Sequence, residues 1–318
     1  MNRESSTSNV RLAQRLNKPE FWFQPRQLLR KFCLEISRRP APVSARVRLP
    51  WGVTISVNPQ EAIGKSLMTY AVYDLAVSET LWRLTDAGDV CVDIGANIGY
   101  MTSILASAAG ARGKVFSFEP HPRIYSRLAA NVESWRGCAT ASNQATIEIE
   151  RCAIAAIDGE LDLIEPDEFE KNEGRSSTVV NSASFAPVAK HRVPARRLDG
   201  ILANAGNLAV VKIDVEGAEP MVLQGASALL GQRKIRDIVF EDERPFPSES
   251  VTLLKRHGYT IRRLVKLISG PLLCDPSAPQ SASRTLPWEP VNYLATLDIG
   301  RAETRFKPRG WHCLRQKH

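Results

Sequence analysis

The sequence has no apolar run approaching the roughly 18 residues that a membrane span requires, and Met1 to Lys18 lacks the apolar centre of a secretion signal. Both absences predict a soluble, cytoplasmic protein. No two of the six cysteines, at positions 33, 91, 138, 152, 274 and 313, form a C-x-x-C pair, and the five histidines show no ligand spacing. That excludes a disulfide framework and a local zinc motif. No metal is expected, short of one assembled by carboxylates from distant parts of the chain. Internal repeats are absent too. Composition, at 43% hydrophobic, 24% charged and 7% aromatic, sits near the globular average and excludes collagen-like, disordered and coiled-coil classes. A chain of 318 residues buries about three quarters of its unfolded surface and needs no covalent staple.

Charge is unevenly spread. Residues 1–50 carry eleven Lys and Arg against three Asp and Glu, residues 255–318 carry twelve against four, and residues 51–254 carry nineteen against twenty-seven. An acidic body therefore lies between two basic ends. Such ends suit peripheral contact with an anionic membrane or carrier, or they fold onto the acidic body. The aromatic residues Phe21, Trp22, Phe23 and Phe32 in the first arm favour docking on protein.

Apolar spacing predicts a helix from Pro25 to Ile36, then a hairpin of Val47–Leu49 and Val53–Val57 about a Pro50-Trp-Gly52 turn, then one helical stretch over 61–84. A regular alternation follows. Strands are expected at 90–93, 115–118, 147–153, 210–214, 238–240, 259–264 and 292–297, with helices at 98–109, 122–134, 220–230 and 248–257. This predicts an α/β fold with a mostly parallel, doubly wound sheet. The boundaries read as a basic N-terminal helical arm (1–50), one α/β domain (51–300) and a basic tail (301–318). Within the domain, residues 165–190 read as a polar insert, a candidate lid around Gly174-Arg-Ser-Ser-Thr178.

The informative segment is Val92-Asp-Ile-Gly-Ala-Asn-Ile-Gly99, where a buried strand turns into a helix. Glycine there permits backbone angles and close approaches that a side chain forbids. The next strand ends in Phe118-Glu-Pro-His-Pro122, which puts Glu119 20 residues after Gly99, the separation expected of an acid that accepts ribose hydroxyls. The dinucleotide pattern G-x-G-x-x-G is not met, and Asp93 would repel a pyrophosphate. An acid at that place suits a ligand with a cationic centre, such as S-adenosylmethionine.

These residues resemble a class I S-adenosylmethionine-dependent methyltransferase, and the FkbM family in particular. V-x-D-I-G-A-N-x-G is met by Val92 to Gly99, E-P-x-P by Glu119 to Pro122, and the more selective stretch by Lys212-Ile-Asp-Val-Glu-Gly-Ala-Glu219, continuing Leu223-Gln-Gly-Ala226. The likeness covers roughly residues 50–300. It implies a Rossmann-like fold and O-methylation of a hydroxyl on a sugar, a glycolipid or a polyketide-like natural product. It also implies that Asp93, Gly95, Asn97, Gly99 and Glu119 surround the cofactor, with Asp214 beside the transferring methyl. Asp214-Val-Glu-Gly217 stands where amino-directed enzymes carry an N-P-P-Y signature, which favours oxygen as the acceptor.

Methyl transfer gains from holding the acceptor in line and from a base that takes its proton. Lys212 and Asp214 share a face of one strand. Glu216 and Glu219 follow on the turn, and Glu241, Asp242 and Glu243 end the next strand. The candidate catalytic residues are Asp214, Glu216, Glu241 and Lys212. Glu216 and Glu219 also suit a helix N-terminus, and Lys212 suits a structural pair with Asp214. His121, between two prolines, is expected to face solvent, and His257 to cap a helix. Trp51, Tyr70 and Tyr73 suit either a sugar ring or the core. Competing classes are a nucleic-acid-binding protein led by the basic ends, which an acidic cleft disfavours, and a nicotinamide oxidoreductase of the same fold class. No nucleic-acid partner is expected.

Overall fold

The valine- and isoleucine-rich segments that the sequence marks as buried do form a central sheet. The computed structural model describes residues 19–20, 44–136, 143–166, 177–178, 187–277 and 291–315. The helix expected over 25–36, and Gly174 to Ser176 of the candidate lid, lie outside them.

The parallel core of the sheet is β3 (Val90–Ile94), β4 (Lys114–Phe118), β5 (Thr146–Glu150), β10 (Leu208–Ile213) and β11 (Ile235–Glu241). With β12 (Thr260–Leu267), β13 (Gly270–Cys274) and β14 (Asn292–Thr296), the order is β13-β12-β14-β11-β10-β3-β4-β5. β14 lies antiparallel between β11 and β12. Chain order reverses between β3 and β10, and a doubly wound sheet binds its ligands at such a switch point. All six residues of β10 are buried, as a strand covered on both faces requires.

Helices α1 (Ala62–Tyr70), α2 (Leu75–Leu84), α3 (Tyr100–Ala109) and α4 (Pro122–Arg136) pack on one face. Helices α5 (Leu198–Ile201), α6 (Glu219–Gly225), α7 (Ser227–Gly231) and α8 (Glu249–Arg256) cover the other. The hairpin appears as β1 (Ala45–Arg48) and β2 (Thr54–Val57). It is tied to α4 through Asn131, which bonds both backbone groups of Ser56, and through Trp135, which donates to the Thr54 carbonyl. Trp51 is core: its indole donates to Ser103 and its ring meets Tyr100 edge-on.

Several expectations need correction. The stretch 61–84 is two helices, because Asp74 caps the second by accepting the Val77 amide, and the chain bends at Ala71 and Asp74 with positive φ. The strand expected over 147–153 divides into β5 and β6 (Ala153–Ile154), which belong to different sheets. β6 joins β7 (Gly159–Pro166), β8 (Ser177–Thr178) and β9 (Pro187–Arg196) in a four-stranded sheet of order β6-β9-β7-β8, so the described residues of the polar insert, 165–166, 177–178 and 187–190, are strand. Between the strands expected at 259–264 and 292–297, β13 adds a further strand that forms a hairpin with β12.

The segment expected to be a basic tail holds α9 (Ile299–Phe306) and is woven into the domain. Glu79 and Arg83 form a fully buried ion pair at 2.6 Å. Arg83 donates to the carbonyls of Arg305, Pro308 and Gly310, and Glu79 accepts the amides of His312 and Cys313. Arg301 bonds Asp86 and Asp237 in the acidic body.

Candidate active site

Three residues in register across adjacent strands build the floor of the site. Ser117 on β4 pairs with Asp93 on β3, and Asp93 pairs with Lys212 on β10, all facing α3. The Asp93 carboxylate is fully buried; Thr102 of α3 donates to its Oδ2 at 2.6 Å and in turn meets Ser117 at 3.0 Å. Its Oδ1 accepts no hydrogen bond and lies 3.4 Å from Lys212 Nζ. Lys212 donates to the Gly95 carbonyl at 2.8 Å and stands 3.5 Å from Asp214. Burial alone would lower its ammonium, but the Asp93 and Asp214 carboxylates outweigh that and raise it. Lys212 is therefore held between two carboxylates that favour its charged form.

The glycine turn sits directly above. Gly95 has φ +73°, and a Cβ on it would stand 1.9 Å from the Asp214 carbonyl oxygen, so only glycine lets the β3 and β10 tips approach this closely. Gly99 was expected to line the cofactor. Its missing Cβ makes room for Leu128 and Trp135 of α4, at 2.8 and 3.0 Å from where a Cβ would stand. Asn97 adopts positive φ and bonds the next amide through its own side chain. Glu119 pins this turn to the end of β4: Oε2 accepts the Asn97 amide and Oε1 the His121 amide, each at 2.9 Å. Burial first of all pushes its carboxyl up to about 7, against those two amides and the Lys212 cation.

Beside the turn, the β10 and β11 tips and the bend between α1 and α2 gather carboxylates. Side chains alternate across a sheet, so Lys212, Asp214 and Glu241 share the α2 face whereas Asp242 points to the other. Glu241 is pushed up to about 9 by burial, then by Asp214, Asp74, Glu216 and Glu243. Burial and the carboxylates of Asp214, Asp74, Glu241 and Glu216 raise Tyr73, so its phenol keeps its proton. Asn292 lies opposite Glu241 in the sheet and donates to Asp74 at 2.9 Å. Tyr100, the first residue of α3, bonds the Tyr73 amide and Ser78 and so anchors the same bend to the glycine turn.

Of the candidate residues, then, Asp214, Glu216 and Glu241 lie close enough to act on one another electrostatically, while Lys212 is buried beside Asp214. Glu219 turns inward, accepting the amides of Val215 and Gly217 and an Arg244 hydrogen bond. Asp242 is held by Arg244 and Ser248. The sequence missed Asp74 and Asn292. Asp74 carried a usable signal, an acidic cap ahead of an apolar helical pattern. His121, expected at the surface, is 1% exposed and bonded to Glu165, because the β7–β9 sheet covers it. His257 does cap α8.

A family model described as the methyltransferase FkbM domain matches residues 93–261. No curated protein matches the sequence. Among solved structures, methyltransferase FkbM from Methylobacillus flagellatus is 17% identical, with a TM-score of 0.41; the match covers 66% of this chain and 44% of that one. Aeropyrum pernix fibrillarin, with natively bound S-adenosyl-L-methionine, is 14% identical, with a TM-score of 0.37 and coverage of 81% and 85%. An S-adenosylmethionine-dependent O-methyltransferase from Thermotoga maritima is 13% identical, with a TM-score of 0.39 and coverage of 81% and 87%.

Proposed function

The chain belongs to the FkbM family of S-adenosylmethionine-dependent methyltransferases, and from that premise we propose that the group it methylates is a hydroxyl on a sugar of a glycan or glycolipid. The residues present fit the cofactor. Glu119 retains acceptor capacity beyond its two amides, as ribose hydroxyls need. Asp93, paired with Lys212 at 3.4 Å, fixes the floor beneath the turn, with Lys212 also holding the Gly95 carbonyl. Gly95 and Asn97 line that turn. When bound, S-adenosylmethionine supplies a methyl group on a positively charged sulfur.

The observation that carries the proposal is the cluster of carboxylates at the β10 and β11 tips and the α1–α2 bend. Asp74, Asp214, Glu216, Glu241 and Glu243 offer many hydrogen-bond acceptors in one place, which suits an acceptor rich in hydroxyls and repels phosphate. A hydroxyl must also shed its proton during transfer, and a carboxyl raised by burial and by neighbouring acids is a stronger base than an ordinary one once it ionises, which it does only on the alkaline side. Glu241 takes that role here, with Asp214 orienting the hydroxyl and the neutral Tyr73 donating to the acceptor's oxygens. Lys212 holds the strand tips in place and takes no part in proton transfer.

The direct test is transfer of labelled methyl to fractionated extracts. Label is expected in a sugar as an acid-stable ether. Label in nucleic acid, or on an amine, would overturn the proposal, and label in a small natural product would replace the acceptor class.

A second test uses pH. Glu241 has a folded value above its ordinary 4.5, so the folded state favours its protonated form, and stability falls as pH rises from about 4.5 to about 9. Glu241→Gln should remove that slope and leave the protein more stable than the parent at pH 8 in urea titrations. The parent's turnover should climb on the alkaline side, and the variant should lose that limb together with about 10²–10⁴-fold in rate. A variant retaining both would rule Glu241 out as the base.

A further inference from the structure

Three side chains that the methylation pocket does not use converge on one point. His121 lies in the turn between β4 and α4, Glu165 near the end of β7, and His191 on β9. Glu165 Oε1 stands 2.5 Å from His121 Nε2 and 2.6 Å from His191 Nε2. β7 and β9 run antiparallel with Leu163 opposite His191 and Glu165 opposite Ala189, which places Glu165 and His191 diagonally on one face. The two imidazole rings meet nearly edge-on, with centroids 4.9 Å apart. All three donor atoms lie within 4.8 Å of one another, and no other such trio of His, Cys or acidic donors occurs among the described residues.

We propose that His121, Glu165 and His191 bind a divalent first-row metal ion, with zinc the best match. Two imidazole nitrogens and one carboxylate oxygen form a borderline donor set that suits zinc and its neighbours, whereas magnesium and calcium take oxygen cages. Exposure is graded across the trio. The side chains of His121, Glu165 and His191 are 1%, 13% and 33% exposed, so one side of the site is open for a water as fourth ligand.

Without metal, both imidazoles donate through Nε2 to the shared oxygen, and His121 Nδ1 receives the Ile124 amide at 3.4 Å, a long contact. Ligation moves each ring proton to Nδ1 and gives up that contact. The ion then carries one carboxylate charge and two neutral imidazoles. It ties the β7–β9 sheet to the turn two residues beyond Glu119, making the trio a positioning device for the cofactor side of the cleft.

The test is a cobalt titration of the full chain after chelation and desalting. A visible band saturating at one equivalent is expected, displaced by zinc, with zinc raising the melting temperature. His191→Ala and Glu165→Gln should each weaken binding at least about tenfold, the lower end of what even an outer-shell partner costs, with unchanged far-UV dichroism. His257→Ala, away from the trio, should leave the band unaltered. No stoichiometric band, or one that survives both variants, would overturn the proposal and leave a hydrogen-bonded trio only. Neither readout depends on methyl transfer, so the proposed reaction and this site stand or fall separately.

Discussion

Lys212→Met is expected to destabilise the protein by about 3–5 kcal/mol, measured by urea denaturation at neutral pH, because it leaves a buried carboxylate without its cation. Asp93 is wholly enclosed, and Lys212 is the cation that faces it, at 3.4 Å. The methionine side chain fills the volume but neither offsets that charge nor donates to the Gly95 carbonyl. The double variant Lys212→Met with Asp93→Asn should recover much of the loss, since a neutral amide costs less to bury alone. A single variant as stable as the parent would show that the Asp93–Lys212 pair does not hold this part of the fold together.

Gly95→Ala carries the second large effect, on cofactor affinity. The added methyl would meet the Asp214 carbonyl oxygen at 1.9 Å, with φ at +73°. The β3 and β10 tips must separate, which moves both the turn over the cofactor and the Asp214 carboxylate. Strain of this kind costs about 1–3 kcal/mol before any contact is lost, so calorimetry with S-adenosylhomocysteine should show at least about tenfold weaker binding. Gly206→Ala, at a position with positive φ but open space, serves as the control, with strain and no change in affinity. Equal affinity in Gly95→Ala and the parent would remove this turn from the cofactor site.

The cofactor half of the site was legible in the sequence because its chemistry is local. A strand, a glycine turn and the next strand's terminal acid lie within one short stretch, and their spacing survives as a pattern. The acceptor half was not. Asn292 reaches Asp74 across 218 positions of chain, and no periodicity announces such a meeting. Glu241 was named from its place at a strand end, but the raised carboxyl depends on neighbours from two other segments. His121 shows the same limit from the other side. Its flanking prolines identify a turn correctly, while its burial is decided by a sheet contributed 44 residues later. The strands of that sheet carry charged side chains on an exposed face, so they read as a polar insert. Lys212 was ambiguous between proton transfer and pairing, and only the register that sets it beside Asp93 shows which acid it can pair with.

The placement of β14 between β11 and β12 bears on how this chain is born. During synthesis β12 leaves the ribosome before the strand that must separate it from β11, so it has no legitimate partner on that side of the sheet until residues 292–296 follow. The Glu79–Arg83 pair waits longer still, for amides and carbonyls near residue 310. A nascent polypeptide halted after residue 267 therefore exposes the edge of β11 and leaves the Glu79–Arg83 pair uncovered, a state suited to recognition by chaperones and to quality-control proteolysis.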